Sequence, residues 1–433
     1  MKFLQFGCWN QLKEKEGRCD IKNPINSLSR VMKTLNEYIE FSHPNFLIVS
    51  GDNYYTEKIE EGGTKKKIIH PEQLISGFQC LPHDIEINMI LGNHDLETQT
   101  KKDNLYLSSA ADSSSSTAAD SSSSIADANK ERKDCFILQT ELKELPNLPN
   151  IKYNFFLSKY DAASQSLILM VDTSMYVDDQ EDIEDMLPCY KYIIDGHEYS
   201  IAEIRQRQKE LIAIEIAKYK SKLTKIIISG HHPIISYKLK VSEKDPKKTK
   251  FDFVEGLSLF SDLLKEIKQM VNKEEIKYYY LCADLHLYQK GTLVLYDNER
   301  KEEMYIEQYV VGTGGTELDP NPFDPIYNGI KGRIDDAETN GILFVNKMDK
   351  NKYIMSKEDV LESKANYGHG FLEARTDEEV KNGISFKFIK ADEPMMRRRR
   401  SVFGGKKKRT NKRRKTNKKR NTRKKKYHHH IRA

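Results

Sequence analysis

Phe46-Leu47-Ile48-Val49-Ser50-Gly51-Asp52-Asn53-Tyr54-Tyr55 is a short β-type run followed without transition by a glycine, a carboxylate and an amide. A run of that length and composition reads as a buried strand. The abrupt change of chemistry then puts Asp52 and Asn53 at its carboxyl end. The same stop recurs three times. Gly92-Asn93-His94-Asp95 follows Ile87 to Leu91, Gly230-His231-His232-Pro233 follows Lys225 to Ser229, and Ala283-Asp284-Leu285-His286 follows Tyr278 to Cys282. In an open α/β sheet the carboxyl ends of the strands lie along one rim, where ligands bind. Four such ends point oxygen and nitrogen donors at one place, and a hard or borderline metal centre suits that donor mix.

Between the stops the chain reads as amphipathic helices. Asn26 or Ser27 caps a helix whose Leu28, Val31, Met32, Leu35 and Ile39 share a face and which ends before Pro44. Ile201 to Lys222 and Leu257 to Val271 repeat the pattern. Strand and helix alternate, which predicts a layered α/β fold. Met1 to Gly7 reads as a strand, and no apolar run long enough to cross a bilayer follows, so neither a secretory signal nor a membrane span is expected. Tyr278-Tyr279-Tyr280 reads as a strand with alternating faces rather than a base-stacking platform.

Composition divides the chain. Its 433 residues are 38% hydrophobic, enough for a large core, while a mean hydropathy of −0.69 implies much polar sequence outside that core. The net charge of +6 conceals two parts: Arg397 to Ala433 holds 20 Lys and Arg with no acid, leaving 51 basic and 65 acidic side chains, or −14, in residues 1–396. The expected organisation is a folded body over 1–395 and a disordered basic tail over 396–433, whose partner is nucleic acid or another polyanion. Within the body, Ala110 to Ile125 repeats an eight-residue Ala-Ala-Asp-Ser-Ser-Ser-Ser unit closed by Thr or Ile. It is too poor in apolar side chains to offset its ordering entropy, and 101–134 reads as a flexible insertion. The six cysteines form no CxxC pair, which argues against a zinc ribbon or a dense disulfide scaffold and toward a reduced compartment. The expected location is therefore intracellular, in cytoplasm or nucleus, or in a virion. The tail resembles the basic C-termini of many giant DNA virus proteins.

A dinuclear site needs one anionic ligand shared by both ions and terminal ligands that leave room for water and substrate. Asp52, directly after Gly51, suits the shared position. Asn93 supplies a neutral carbonyl oxygen, His231 and His286 supply imidazole nitrogens, and Asp284 adds a carboxylate. His94 and Asp95 adjoin Asn93, and a histidine beside the metals can donate a proton to a leaving oxygen.

In this order the blocks resemble the calcineurin-like metallophosphoesterases, most of all the purple acid phosphatase type. Gly51 to Tyr55 is similar to that branch's Gly-Asp-Asn-aromatic-Tyr block, Gly92 to Asp95 to its Gly-Asn-His-Asp/Glu, and Gly230 to Pro233 to its Gly-His-x-Pro. Val310 to Gly315 resembles the late glycine-rich turn and Tyr367 to Leu372 the closing strand. The resemblance implies an α/β fold built as a two-sheet β-sandwich flanked by helices in four layers, with hydrolysis of phosphate esters by a metal-held hydroxide. It further implies Asp52 as the bridge, Tyr55 and His286 on the first metal, Asn93 and His231 on the second, and His94 assisting the leaving group. A Tyr ligand implies iron, paired with zinc, iron or manganese. Two positions depart from the family. Cys8 stands where an Asp is usual, either ligating as a thiolate or leaving the site one ligand short, and Asp284 replaces the first His of Gly-His-x-His. The alternatives are a catalytically impaired binding protein that acts through its tail, and a phosphodiesterase that the tail brings to nucleic acid.

Overall fold

The computed structural model describes residues 1–11, 17–61, 64–100, 133–241, 250–323, 331–376 and 383–391. The expected insertion, except for 133–134, and the expected basic tail lie outside the described residues. The chain divides into two units, Met1–Asp392 and Glu393–Ala433, and the first carries everything below.

Two large sheets form the body. In one, the order is Ser385–Lys390, Gly370–Arg375, Lys2–Phe6, Phe46–Ser50, Glu86–Ile90 and Ile151–Tyr153, the last four running parallel. In the other, Phe156–Asp161, Ser166–Val171, Lys225–Ser229, Lys277–Cys282 and Glu302–Val311 are followed by Tyr288–Asp297, Lys352–Met355 and Ile342–Val345, with the run from Ser166–Val171 to Glu302–Val311 parallel. Strands of this kind are buried on both faces and carry near-continuous apolar sequence, as Phe46–Ser50 and Ser166–Val171 do throughout their lengths. This is the layered α/β fold that strand and helix alternation predicts, in the two-sheet, helix-flanked form that the resemblance implies.

The sheets face each other through Phe3, Phe46, Ile48 and Ile90 on one side and Ile168, Met170, Ile227, Tyr279 and Leu281 on the other. Tyr279 thus points between the sheets, while Tyr278 and Tyr280 join the core on the second sheet's outer face, as strand alternation requires. That outer face is covered in part by the helix Ser258–Val271, whose Phe260, Leu263, Leu264, Ile267 and Val271 are buried. Each such side chain contributes roughly 1.5–3 kcal/mol on burial.

The helix Ser27–Ser42 begins where Asn26 accepts a hydrogen bond from Ser29 N at 2.7 Å, and ends at His43 in the left-handed region just before Pro44. Its buried stripe runs through Leu28, Val31, Met32, Leu35 and Tyr38, with Ile39 only half-buried. The helix Ile201–Tyr219 starts at a capping box in which Ser200 and Glu203 satisfy each other's backbone N–H. None of the described helices is long and apolar enough to cross a membrane.

A polar link crosses the sandwich just below the rim. Ser50 and Ser229, the last residues of their strands, lie 3.0 Å apart through their hydroxyls, and Gln5 Nε2 donates to Ser50 at 2.8 Å. Above it the strand ends are tied backbone to backbone: Cys8 N donates to Gly51 O (3.1 Å), Gly7 N to Val311 O (3.1 Å) and Ala283 N to His231 O (2.8 Å). Both sheets therefore deliver their carboxyl ends to one rim.

Candidate metal centre

Three strand-end residues other than glycine have left-handed backbones: Cys8 at φ 52°, Asp52 at φ 53° and Asp284 at φ 54°. This region costs L residues of order 1–3 kcal/mol each and collects at functional sites. The turns aim these side chains inward, where the rim is too crowded for ordinary residues. A Cβ at Gly92 would collide with Asp52 Oδ1, and one at Gly51 would lie 2.7 Å from His231 Nδ1.

Asp52 is buried and stands astride two donor sets. Its Oδ1 lies 3.2 Å from His231 Nε2, which is itself 3.1 Å from Asn93 Oδ1 and 3.8 Å from Asp284 Oδ1. Its Oδ2 accepts from Tyr55 Oη at 2.7 Å and lies 3.9 Å from Cys8 Sγ, while Tyr55 Oη is 3.1 Å from His286 Nε2. Cys8, Asp52 and His231 form one group able to hold a cation, and His231, His232 and Asp284 form another. Cys8 reaches the first group in spite of its departure from the family pattern. The donors on the two sides of Asp52 fit metal ions: carboxylate, amide and imidazole from Asp284, Asn93 and His231 on one side, and thiol, phenol and imidazole from Cys8, Tyr55 and His286 on the other.

The imidazoles are oriented from behind. Ser50 O lies 2.7 Å from His231 Nδ1 and Glu317 O lies 2.7 Å from His286 Nδ1, so in each ring Nδ1–H donates and Nε2 is left toward the site. Burial disfavours the imidazolium of His231, yet Asp52 pushes it up to about 10. Burial raises Asp52, but His231 and His94 outweigh it and hold the carboxyl well below the usual range. Burial and the charge of Asp52 push the Cys8 thiol and the Tyr55 phenol up. A cation among these donors would replace the His231 proton and draw protons from sulfur and phenol.

His94 stands beside the centre. Its ring lies against Tyr55, centroids 4.4 Å apart, and its backbone N donates to Asp52 Oδ1 at 3.0 Å. His94 Nδ1 is 2.7 Å from Glu97 Oε1. Burial lowers its affinity for a proton, but Asp52 and Glu97 reverse the sign and raise it. Asp95 faces the other way. It is fully buried and accepts from Asn53 N (2.7 Å), Asn53 Nδ2 (2.9 Å) and Gly92 N (2.8 Å), so it holds the two turns in place and is not turned to the metal-competent groups. Burial, then the charge of Asp52, pushes its carboxyl up to about 7.

Sequence reading does not single out Glu97, Thr173 or Lys67. Glu97 follows His94 by three residues, a spacing that signals a pair only once the turn is known. Thr173 Oγ1 lies 2.9 Å from His232 Nδ1 and accepts from His231 N at 3.2 Å, and it follows the strand Ser166–Val171 and the buried Asp172, the carboxylate of a fifth strand stop, which accepts from Ser174 N at 2.8 Å and from Tyr190 Oη. Burial, then His231, pulls His232 down to about 4. Elsewhere His70 pairs with Glu57 at 2.7 Å and His43 caps a helix, while His83 and His197 are exposed.

A family model for calcineurin-like phosphoesterases matches residues 1–254, more than half the chain. The chain belongs to the calcineurin-like phosphoesterase family. No curated protein matches this family member. Similar solved structures are the GAP50 anchor in the inner membrane complex of Plasmodium (12% identity, TM-score 0.40, 90% of this chain and 85% of that one) and PhoD (11%, 0.39, 90% and 68%). TT1561 of Thermus thermophilus is a third (9%, 0.30, 70% and 97%).

The cysteines correct one expectation. Cys19 pairs with Cys80 and Cys135 with Cys189, with Cα atoms 6.4 Å and 5.0 Å apart, leaving Cys8 and Cys282 as buried free thiols. The partners are 61 and 54 residues apart in sequence, so no local spacing reveals them. Disulfides persist in oxidising surroundings, which runs against the reduced compartment that the cysteine spacing suggests.

Proposed function

We propose that this family member hydrolyses phosphate esters at a dinuclear metal centre of the purple acid phosphatase type. The observation that carries the reading is Asp52, one carboxylate serving two donor sets. Asn93, His231 and Asp284 would hold one ion on its Oδ1 side. Cys8, Tyr55 and His286 would hold the other on its Oδ2 side, with iron favoured by the phenol and zinc, iron or manganese as its companion. When bound, the two ions supply Lewis-acid neutralisation of phosphate charge and activation of water.

The chain's own residues do the rest. Ser50 O and Glu317 O fix the imidazole faces. Asp95 holds the turns that carry Asn53 and Gly92. His94 keeps Nδ1–H on Glu97 and carries the mobile proton on Nε2. As the water oxygen bonds to phosphorus and the ester P–O bond breaks, that proton passes to the leaving alkoxide, and the proton shed by water returns through solvent.

Protein supplied with iron, zinc or manganese is expected to hydrolyse p-nitrophenyl phosphate. Asp52→Ala and Asn93→Ala should each lose about 100-fold or more of kcat/KM, by analogy with the removal of a preorganised charge-stabilising group. Full activity in either variant would refute the assignment. The iron form should show a visible phenolate charge-transfer band that Tyr55→Phe abolishes.

The Lys- and Arg-rich residues 397–433 support a second, separable role in binding a polyanion.

A further inference from the structure

One cleft of about 370 Å³ adjoins the second donor set and is lined by Asn93, His232 and Asp284 on the metal side. Its volume lies within the range usual for small-molecule sites. Lys67 also lines it, and no other lysine or arginine does so among the described residues. Lys67 is delivered by the hairpin of strands Glu57–Glu61 and Thr64–Ile68, and its side chain keeps 36% of its exposure. Its Nζ lies 3.0 Å from Glu97 Oε2, the oxygen that also takes Thr56 Oγ1 at 3.3 Å. The other oxygen of the same carboxylate belongs to His94. Glu97, only 9% exposed, thus ties the ammonium of Lys67 and the imidazole of His94 to one rigid point.

The remaining charged groups lining the cleft are acids: Asp284, and Asp182 and Asp185 from the helix Gln180–Met186. An anionic substrate entering here meets a carboxylate, Asp284, where the family resemblance implies an imidazole. Lys67, held by Glu97, is the ammonium that this lining sets against those acids among the described residues. A lysine is a compact point charge with three donors and suits a phosphate oxygen. A phosphomonoester brings two negative charges and three terminal oxygens, and a diester brings one charge and two, so a single added cation favours the monoester.

Resting on the proposed phosphoesterase reading, we infer that Lys67 is a substrate-binding residue that grips a terminal phosphate oxygen and makes the centre selective for phosphomonoesters over diesters.

The test compares the wild-type chain with Lys67→Met and Lys67→Arg, using p-nitrophenyl phosphate, bis(p-nitrophenyl) phosphate and calorimetric binding of inorganic phosphate to the metal-loaded proteins. Lys67→Met is expected to raise KM for the monoester and Kd for phosphate about ten-fold or more, the loss of one charge-assisted contact, while KM for the diester moves little. Metal content, melting temperature and kcat should stay near wild type, and Lys67→Arg should recover most of the affinity. Unchanged monoester KM and phosphate Kd in Lys67→Met would overturn the inference. A fall in kcat alone would overturn it too, since Lys67 would then act only through Glu97 and His94. An inert wild type that still binds phosphate in a Lys67-dependent way would sink the hydrolase reading and leave the Lys67 contact standing.

Discussion

Asp52 and Glu97 show how a single carboxylate organises two neighbours at once, Asp52 between the two donor sets and Glu97 between His94 and Lys67. Glu97 has a consequence in pH. A general acid works while protonated, so an imidazole raised by Asp52 and Glu97 stays competent to higher pH than an unperturbed histidine. Glu97→Gln removes one of those charges, lowers the His94 value, and should move the alkaline limb of kcat/KM to lower pH. A pH–rate profile with an unmoved limb would remove His94 from the acid role. At this scale the sequence is most transparent where side-chain identity and a strand end suffice, as for Asp52, Asn93 and His231. It is opaque where a residue acts through a hydrogen bond set by loop conformation. Asp95 adjoins His94 in sequence yet faces Asn53 and Gly92, while Glu97 and Thr173 reach the site through turns that no spacing rule describes.

Strands and helices are largely readable because their signals are periodic. Phe46–Ser50 and Lys225–Ser229 fall where their apolar runs put them, and Ser27–Ser42 follows from a capping Asn and a helical stripe. The crosslinks are not readable, because each joins segments that only the fold brings together. Cys135 precedes the helix Ile137–Glu144, and Cys189 lies in the short 3₁₀ helix Leu187–Tyr192 with its sulfur 3.4 Å from Leu96 O, next to the Asn93–His94 turn. Closing a loop of 54 residues stabilises a fold by about 4 kcal/mol through the unfolded state. The paired variant Cys135→Ser/Cys189→Ser should therefore melt several degrees lower than the wild-type chain under non-reducing conditions, and strong reductant should bring the wild type down toward it. Equal melting temperatures, with free thiols titrating at all six cysteines of the wild type, would show that the bridges do not form.

Across the whole molecule, an acidic body of net −14 carries a strongly basic end with 20 Lys and Arg, so the chain's overall +6 describes neither part. Duplex DNA affinity of the full chain is expected to fall steeply between about 50 and 200 mM salt, and a chain ending at Met396 should lose it while keeping hydrolysis. Equal binding before and after truncation, in a titration at matched salt, would contradict the tail assignment. The body's chemistry rests on a simpler count. Two sheets converge on one rim because their parallel strands end there, and the carboxylate at the middle of that rim has a donor set on each side. The most direct measurement is the number of tightly held metal ions per chain, taken by elemental analysis on the wild type and on Asp52→Ala. Two ions in the wild type, with loss of at least one in the variant, is the predicted result. Fewer than two ions in a wild type that turns over phosphate esters at full rate would contradict it.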